Sequence, residues 1–332
     1  MHYKFLSILD IRRHIAANGE RFSTLTLNPS LDKTMILGTP LKTGALNRAK
    51  TSTLSAGSKG INVARAMKAM GAYATSYFFA GGETGDILLR LLKNEGILYR
   101  TVETKAPTRE NIKLIDSVGV CTEVNEEGGP VTTEEISELL SLFYCGCRDS
   151  KTSCVFLGGS VHRGVDADIY AEIIENLREI GIPVILDCDG EALKKGIEAR
   201  PALIKPNAYE LSLLTGVDVK NPDVAADICR RIYSETGVSV LCTLGADGAV
   251  FIGDGGSYYV NAPKVECVRC FAGAGDAFLS AFILSYARGA NEETSLAYAA
   301  AFASKKVAAS GEMPTQDEVT AYMTHASSHA IQ

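Results

Sequence analysis

The sequence lacks a run of basic residues, a long uncharged apolar stretch and any tryptophan. Its Lys and Arg total 33 against 39 Asp and Glu, which gives a net charge of −6. This balance argues against nucleic acid or an anionic membrane as the main partner. No segment of about 18 residues is free of charge, so no membrane-spanning helix is indicated. The apolar residues 5–9 are too few, and Asp10 is too close, for a signal peptide.

The nine cysteines do not have the pattern of a disulfide framework, because their number is odd and the chain is large. We therefore expect a reducing compartment and a cytoplasmic location. Cys267 and Cys270 form a CxxC, and Cys145 and Cys147 form a CxC. A structural zinc site needs two well-spaced pairs, so we interpret these cysteines as small packing residues. The five histidines include no HxH, and four of them lie near the ends of the sequence, so we expect no histidine metal site or catalytic triad.

Candidate strands and helices alternate after residue 70, which predicts an α/β fold with a doubly wound, mostly parallel sheet flanked by helices. Residues 1–22 look like an added helical extension outside the main fold, which then occupies residues 23–332. Two β-rich pieces, at about 33–54 and 98–124, fit poorly into such a core. We expect them to pair as a small β-sheet lid.

Glycine-rich turns follow many of the predicted strands. In doubly wound sheets, ligands bind beyond the carboxyl ends of the strands. These turns can converge on that edge and form one site there. They lie at residues 57–60, 81–85, 158–160, 245–248 and 273–275.

One of these turns precedes the most apolar helix of the sequence. Gly273 and Gly275 flank Ala274, Asp276 follows, and the apolar segment runs to Ala290. The glycines allow a positive φ and close approach of a ligand. The helix start presents unpaired N–H groups and positive potential, so it suits an anion such as phosphate. The same residues also fit a simple turn in which Asp276 caps the helix, and this stretch alone does not decide between the two.

Eight motifs, in order, resemble those of the ribokinase-like (PfkB-type) carbohydrate kinases, from about Thr24 to Pro314. The sequence is most similar to the sugar-phosphate branch of 1-phosphofructokinases and tagatose-6-phosphate kinases. Any one motif is weak, but eight in order are specific. They occupy residues 26–32, 44–48, 56–65, 108–113, 122–126, 205–210, 243–249 and 273–276.

The resemblance implies roles for the residues of the central turn. Asp276 would be the base that takes the proton from the sugar hydroxyl. The N–H groups of Gly273, Ala274 and Gly275 would stabilise the transferred phosphoryl group. The implied nucleotide-binding residues are Lys205, Thr243, Gly245, Gly248 and Gly275, with helical residues 299–304 walling the adenine.

Magnesium would be held through water by Asn207 and Glu210, which match the NxxE element of the family. A carboxylate and an amide suit a cation that keeps much of its hydration shell. A helix capping box is the alternative interpretation of the same two residues, and both roles can coexist. The resemblance therefore implies ATP and Mg²⁺ as the substrate and metal of the reaction.

The sugar side is implied by the motifs in the first third of the chain. Arg109, Asn111 and Lys113 alternate along one strand, so their side chains share a face. Positive groups there would pair with a phosphate already on the sugar; a solvated strand face is the alternative, above all for Lys113. The implied substrate-binding residues are Asp32, Arg48, Gly57, Lys59, Asn62, Arg109 and Asn111.

The sequence departs from the family pattern in three places. Ser58 stands where a second glycine is usual. Residues 161–163 (Val-His-Arg) replace a Leu-Pro-Pro-like segment. Cys270 and Phe271 stand where a polar pair usually precedes the glycine turn. This last difference puts dependence on a monovalent cation in doubt.

The resemblance implies ATP-dependent phosphorylation of a ketohexose monophosphate, with fructose 1-phosphate as the first choice. Tagatose 6-phosphate and fructose 6-phosphate are the alternative acceptors. A catalytically weak sugar-phosphate or nucleotide binder is the alternative of another class. A nucleoside kinase would leave the lid arginines without a partner, and a Rossmann dehydrogenase would need GxGxxG where Asn28-Pro29 stands. The expected partners are a sugar phosphate and ATP, with a homodimer through the lid.

Overall fold

The structure is a computed structural model that describes residues 5–266, 272–309 and 313–331. The helices within these residues are α1 (Ile8–Asn18), α2 (Lys59–Ala69), α3 (Gly82–Glu95), α4 (Thr133–Asp149), α5 (Ile169–Glu179), α6 (Gly190–Glu198), α7 (Ala208–Thr215), α8 (Pro222–Thr236), α9 (Ala274–Ala287), α10 (Glu292–Ala308) and α11 (Gln316–Tyr322). The strands are β1 (Arg21–Thr26), β2 (Ser30–Leu37), β3 (Ala49–Gly57), β4 (Tyr73–Ala80), β5 (Leu98–Glu103), β6 (Arg109–Ile115), β7 (Cys121–Asn125), β8 (Cys154–Gly158), β9 (Val184–Asp187), β10 (Leu203–Ile204), β11 (Ser239–Thr243), β12 (Ala249–Gly253), β13 (Gly256–Val260) and β14 (Ser328–Ala330).

The main sheet has the strand order β14-β13-β12-β11-β10-β9-β8-β1-β4-β5 within the described residues. The strands from β11 to β5 are parallel, and β12, β13 and β14 add antiparallel pairs at one edge. Successive side chains of a strand point to opposite faces of the sheet, so alternate residues pack into the two hydrophobic clusters on those faces. Phe156 joins one hydrophobic cluster, and its neighbours Val155 and Leu157 join the other. The predicted doubly wound, mostly parallel sheet is confirmed.

Helices cover both faces of this sheet. Residues of α1, α2, α3, α9, α10 and α11 pack in one cluster, and residues of α4 to α8 pack in the other. The carboxyl ends of the parallel strands meet at one edge, as predicted. Gly158, Asp187 and Thr243 end β8, β9 and β11, and Lys205 directly follows β10. No helix in the described ranges is long and apolar enough to cross a membrane.

A second sheet has the order β3-β2-β6-β7 and forms the predicted lid. The 98–124 piece is divided between the two sheets. β5 (Leu98–Glu103) pairs with β4 at the edge of the main sheet, while β6 and β7 form an antiparallel hairpin in the lid. The assignment of residues 98–103 to the lid was therefore wrong. An edge strand is half exposed, so its sequence alternates in the same way as that of a lid strand.

Helix α1 is packed on the core and does not stand apart from it. A capping box of Ser7 and Asp10 starts the helix, and Ile8 and Ile11 are fully buried. The Arg12 guanidinium lies 3.7 Å from the centre of the Tyr286 ring and donates to the backbone carbonyl of that residue. The division of the chain at residues 22 and 23 stays a prediction.

The predicted cysteine pairs are only partly covered by the structure. Cys267 and Cys270 lie outside the described residues, as does Phe271. Cys147 is a buried free thiol and Cys145 is an exposed one. Burial raises the pKa of the Cys147 thiol to about 11, so it stays protonated and packs as a small apolar group.

Candidate active site

The turn before α9 has the geometry of an anion-binding corner. Gly273 is the N-cap residue with φ 73° and ψ 8°, a left-handed conformation that favours glycine. Gly273 has no side chain that could cap this helix, and the first-turn N–H groups of Ala274, Gly275 and Asp276 have no partner within the helix. Among the described residues, the side chain of Asp276 accepts a 2.8 Å hydrogen bond from Asn62 Nδ2 and none from the N-cap backbone. The capped-turn interpretation of Asp276 is therefore not what the structure has.

A buried carboxylate joins two lysines beside this turn. Lys59 Nζ lies 2.5 Å from Oδ1 of Asp187, and Lys205 Nζ lies 3.1 Å from Oδ2. Lys59 also approaches Glu210 Oε1 at 3.6 Å. Lys205 reaches the helix start, since a Cβ added to Gly275 would lie 3.5 Å from its Nζ. Two cationic groups therefore converge next to the unpaired N–H groups of α9.

The acidic groups of this cluster have opposite pKa shifts. Burial raises the pKa of Asp276, the charge of Asp187 raises it further, and Lys59, Lys205 and the Asn62 hydrogen bond only partly offset this. Burial would also raise the pKa of Asp187, but the two lysines outweigh burial and lower it. Asp187 is therefore the fixed anion of the pair, and Asp276 is a carboxylate with increased affinity for a proton.

The lysine of the first turn is firmly protonated. Burial alone would lower the pKa of Lys59. The carboxylates of Asp187, Glu210 and Asp276 outweigh burial and raise that pKa. Lys59 is therefore a permanent positive charge at the centre of the site.

The predicted nucleotide-binding residues follow β10 and β11. The backbone of Asn207 bridges to Thr243, and Thr243 N donates to the Pro206 carbonyl at 3.1 Å. Gly245 starts a 3₁₀ turn with φ 63°, and Gly248 closes it with φ 95°. A Cβ at Gly248 would collide with the Val260 carbonyl, so only glycine fits there.

A pocket of ≈ 980 Å³ borders this 3₁₀ turn. Ala246 and Asp247 of the turn line it, together with Lys305 and Ala308 of α10. Lys305 directly follows the 299–304 segment that the resemblance indicated, and Ala308 lies one turn after that segment. Within that segment, residues 299–302 are buried in the core.

Asp32, Asn111 and Lys113, three of the polar residues noted on the lid, belong to one hydrogen-bonded cluster. Asp32 Oδ1 accepts from Ser30 Oγ at 2.7 Å and from Asn111 Nδ2 at 3.2 Å. Lys113 Nζ lies 2.6 Å from Asp32 Oδ2. Lys113 is therefore part of this cluster, and its side chain is only 13% exposed, so the solvated-face alternative does not hold. A Cβ at Gly57 would collide with Asp32 Oδ1, so the lack of a side chain there leaves room for this carboxylate.

Several buried polar atoms at this end of the site have no hydrogen-bond partner within the described residues. They are Asn28 Oδ1, Arg109 Nε, Asn111 Oδ1 and His162 Nε2. The other Arg109 nitrogens donate to the carbonyls of Glu126 at 2.9 Å and Asn28 at 3.2 Å. Buried polar atoms in native proteins nearly always have partners. One such atom on the cationic Arg109, with three more on residues near it, therefore indicates a polar, anionic ligand at this end of the site.

Comparison with known proteins places the chain in a family. The model of the pfkB family carbohydrate kinase matches residues 25–318. The chain belongs to the pfkB family of carbohydrate kinases. It is 32% identical over 260 residues to the 1-phosphofructokinase of Bacillus subtilis. This alignment covers 78% of this chain and 84% of that protein. The expected family, the carbohydrate kinase activity and the ribokinase-like fold are confirmed.

Solved structures agree with this family. Phosphofructokinase-2 from Escherichia coli in complex with potassium superposes with a TM-score of 0.82 at 28% identity, over 92% of this chain and 98% of that one. Ribokinase from Arabidopsis thaliana complexed with ribose and ATP superposes with a TM-score of 0.71 at 22% identity, over 92% and 98%. The second likeness concerns the fold alone.

The pfkB family implies a metal ion, and one carboxylate of the site fits it. Asn207 Oδ1 accepts from Glu210 N at 2.9 Å, and Glu210 Oε2 accepts from Asn207 N at 2.9 Å. The capping box is therefore present, and it leaves Glu210 Oε1 facing the site. Among the described residues, no group of three or more His, Cys, Asp or Glu side chains could hold a metal ion. This donor set suits Mg²⁺ held through water and substrate phosphates, and does not suit a metal caged by protein ligands.

Arg48 and Ser58 lie at opposite ends of β3. Arg48 is exposed and precedes Ala49, whereas Gly57 at the other end of β3 lies beside Asp32. β3 extends for roughly 27 Å, so Arg48 is at the far end of the lid from the acceptor cluster of its own chain. Ser58 has φ 142°, a conformation typical of glycine, and its hydroxyl accepts from Ile61 N at the start of α2. Ser58 thus keeps the backbone of the family's glycine turn.

Sequence reasoning missed several residues of the site. Asp187 joins Lys59 and Lys205 although it is 128 residues from Lys59. Its signal was its position at the carboxyl end of a predicted strand, on the edge where ligands bind. Asn28 and His162 were noted for other reasons, and nothing in the chain spacing indicated that they meet Arg109.

Proposed function

We propose that this chain catalyses ATP-dependent phosphorylation of a ketohexose monophosphate, and that fructose 1-phosphate, converted to fructose 1,6-bisphosphate, is its preferred acceptor. The observation that carries the proposal is the position of Asp276. It is a buried carboxylate with a raised pKa, beside unpaired helix N–H groups and two lysines. The 1-phosphofructokinase relative supports the choice of acceptor.

In this mechanism the charges of the site hold the phosphates of ATP. Lys205 and Lys59 neutralise phosphate charge, and the N–H groups at the start of α9 donate hydrogen bonds to the oxygens of the transferred phosphoryl group. Bound Mg²⁺ would neutralise further phosphate charge, with Glu210 holding it through water and Asn207 keeping Glu210 in place. Asp187 fixes both lysines, because each of its oxygens pairs with one of them.

Asp276 acts on the acceptor. Its carboxylate accepts the proton of the sugar hydroxyl as that oxygen bonds to the γ-phosphorus, the bond from the γ-phosphorus to the β-phosphate oxygen breaks and ADP leaves. Asn62 holds the carboxylate in place. The raised pKa makes Asp276 a better proton acceptor than an exposed aspartate. Asp32 and Asn111 are placed to hydrogen-bond the other sugar hydroxyls. Arg109 is placed to bind the phosphate already on the sugar, because a guanidinium suits phosphate oxygens.

The proposal is tested by comparing kcat/KM for matched acceptors with Mg-ATP. We expect fructose 1-phosphate to be used best, and unphosphorylated fructose to be about 10²-fold or more worse, since it lacks a charged partner for Arg109. A preference for fructose 6-phosphate or tagatose 6-phosphate would replace the named acceptor but keep the reaction class. Equal use of fructose would contradict the acceptor site, and no turnover with any of them would favour a binding protein.

We also propose that two copies associate through the lid, in a cytoplasmic setting that keeps the thiols reduced. β3 is an edge strand of nine residues, and seven of them are exposed. Long exposed edges readily pair with another chain. Leu54 and Val124 are also exposed, and both lie on the lid face opposite Asp32 and Asn111.

The dimer is tested by sedimentation of the wild type and of a variant that carries Leu54→Lys and Val124→Lys. We expect a dimeric wild type and a monomeric double variant. The lysine charges would lose their hydration in the interface and would repel the same charges of the other copy. Leu213→Lys, on an exposed apolar residue of α7, is the matched control and should stay dimeric. A monomeric wild type, or a double variant that stays dimeric, would contradict the lid interface.

A further inference from the structure

A chain of side-chain contacts leads from Asp276 to a helix that is remote from the reacting groups. Asn62 Nδ2 donates to Asp276 Oδ2 at 2.8 Å, and Asn62 Oδ1 accepts from Arg65 NH1 at 3.0 Å. Arg65 is in turn held by Glu95, the last residue of α3, at 2.5 Å from Nε and 2.9 Å from NH2. Each of the three guanidinium nitrogens therefore donates to a partner within the protein.

We propose that Arg65 is a positioning residue for Asp276, acting through the side-chain amide of Asn62. This role rests on the proposed function of Asp276 as the base. Among the residues that the structure describes, the hydrogen bonds and ion pair of Arg65 are with Asn62 and Glu95, and not with Asp276 or the lysines beside it. Its effect on the reaction would therefore pass through Asn62.

The chemistry of the partners fixes which way the amide points. A carboxylate only accepts hydrogen bonds, and a guanidinium only donates them. With Nδ2 toward Asp276 and Oδ1 toward Arg65, both contacts are attractive. A flipped amide would place its oxygen against the carboxylate and its NH₂ against the guanidinium, so both contacts would be lost. Arg65 therefore makes a single amide orientation favourable and leaves Asn62 as a donor to Asp276.

Asn62 also supports the anion-binding turn. A Cβ added to Gly273 would lie 3.2 Å from both Cγ and Nδ2 of Asn62, so the amide is packed directly against this turn. An amide held at one end only can rotate about its side-chain torsions. Loss of Arg65 would therefore loosen the support of both Asp276 and the helix start, and small misplacements of reacting groups are costly in rate.

Glu95 provides the anchor for this arrangement. Its bond to Arg65 is bidentate, and the Arg65 side chain is only 17% exposed. Lys68, one turn further along α2, donates to the carbonyls of Glu95 and Gly96 at the end of α3. The position of Arg65 is therefore set by the junction of α2 with α3.

The test is the pH profile of kcat/KM for Arg65→Met. The Asn62 hydrogen bond lowers the pKa of Asp276, so its loss should raise that pKa further. Because the base must be deprotonated, kcat/KM rises with pH through this pKa, and this rise is the acidic limb of the profile. In Arg65→Met the acidic limb should lie at a pH about one unit higher than in the wild type. We expect kcat to fall by about 10-fold, with KM for ATP changed less than about 3-fold.

Glu95→Gln keeps one carbonyl oxygen for Arg65 and should move the acidic limb the same way by a smaller amount. Arg90→Met, an exposed arginine on α3, is the matched control and should leave the limb and kcat unchanged. A folded Arg65→Met with a wild-type limb and kcat would overturn the proposal, even if its melting temperature fell. If Arg65→Met does not fold, an unshifted limb in Glu95→Gln overturns it.

The same measurements separate this inference from the proposed function. Asp276→Asn in the same assay tests the base itself. If Asp276→Asn is inactive and the Arg65 and Glu95 variants are normal, the base assignment stands and the positioning role fails. If Asp276→Asn keeps wild-type turnover, the proposed function fails first.

Discussion

Replacing Asp276 with asparagine is expected to lower kcat by about 10²–10⁴-fold or more, because the amide cannot accept the proton of the attacking hydroxyl. The change is nearly isosteric, so KM for ATP and for the acceptor should move by less than about 3-fold. The melting temperature should not fall. Burial already opposes the charge of Asp276, so a neutral side chain relieves that cost. Steady-state kinetics with Mg-ATP and thermal unfolding measure both effects.

Asp86→Asn is the matched control for this substitution. Asp86 is exposed in the first half of α3, so its loss of charge should leave kcat unchanged. Wild-type turnover in Asp276→Asn would contradict the proposed mechanism. A large increase in either KM with kcat unchanged would instead assign Asp276 to binding.

Replacing Arg109 with alanine is expected to raise KM for the phosphorylated acceptor by about 10–100-fold and to change KM for ATP by less than about 3-fold. Loss of charged hydrogen bonds to a phosphate costs about 1.5–3 kcal/mol each, which corresponds to this range. Burial lowers the pKa of Arg109, but a guanidinium stays protonated, so the charge is available to the ligand. The KM values for the two substrates, measured separately, check this prediction.

Two further variants sharpen the result for Arg109. Arg109→Lys keeps the charge but cannot hold both the Glu126 and Asn28 carbonyls, so an intermediate KM is expected. Arg163→Ala removes an exposed arginine from the neighbouring loop and should leave both KM values unchanged. Equal increases in the two KM values of Arg109→Ala would remove Arg109 from the acceptor site.

The parts of the fold that could be predicted from sequence have strong local signals. The Gly273 turn predicted a helix start with unpaired N–H groups, and Asn207 with Glu210 predicted the capping box that the structure has. In both cases the relevant residues lie within four positions of each other. Local hydrogen bonding and backbone conformation therefore determine the outcome.

The parts that were missed depend on long-range contacts. β14 has three residues, and its pairing with β13 decides that it is a strand. β5 alternates like a lid strand, so only its pairing with β4 assigns it to the main sheet. Asp187 meets its lysines, and Arg48 lies far from Asp32, for reasons of topology that residue spacing does not contain. The family resemblance supplied residue types, and the fold decided which of them meet.

The central claim is that the site at Asp276 transfers the γ-phosphoryl group of ATP to a hydroxyl of a ketohexose monophosphate. Phosphorus NMR of a reaction of the purified chain with Mg-ATP and fructose 1-phosphate tests it most directly. We predict equal amounts of ADP and fructose 1,6-bisphosphate in the wild type, and neither on the same timescale in Asp276→Asn. Release of inorganic phosphate without a bisphosphate, or bisphosphate formation at the wild-type rate in Asp276→Asn, would contradict this account.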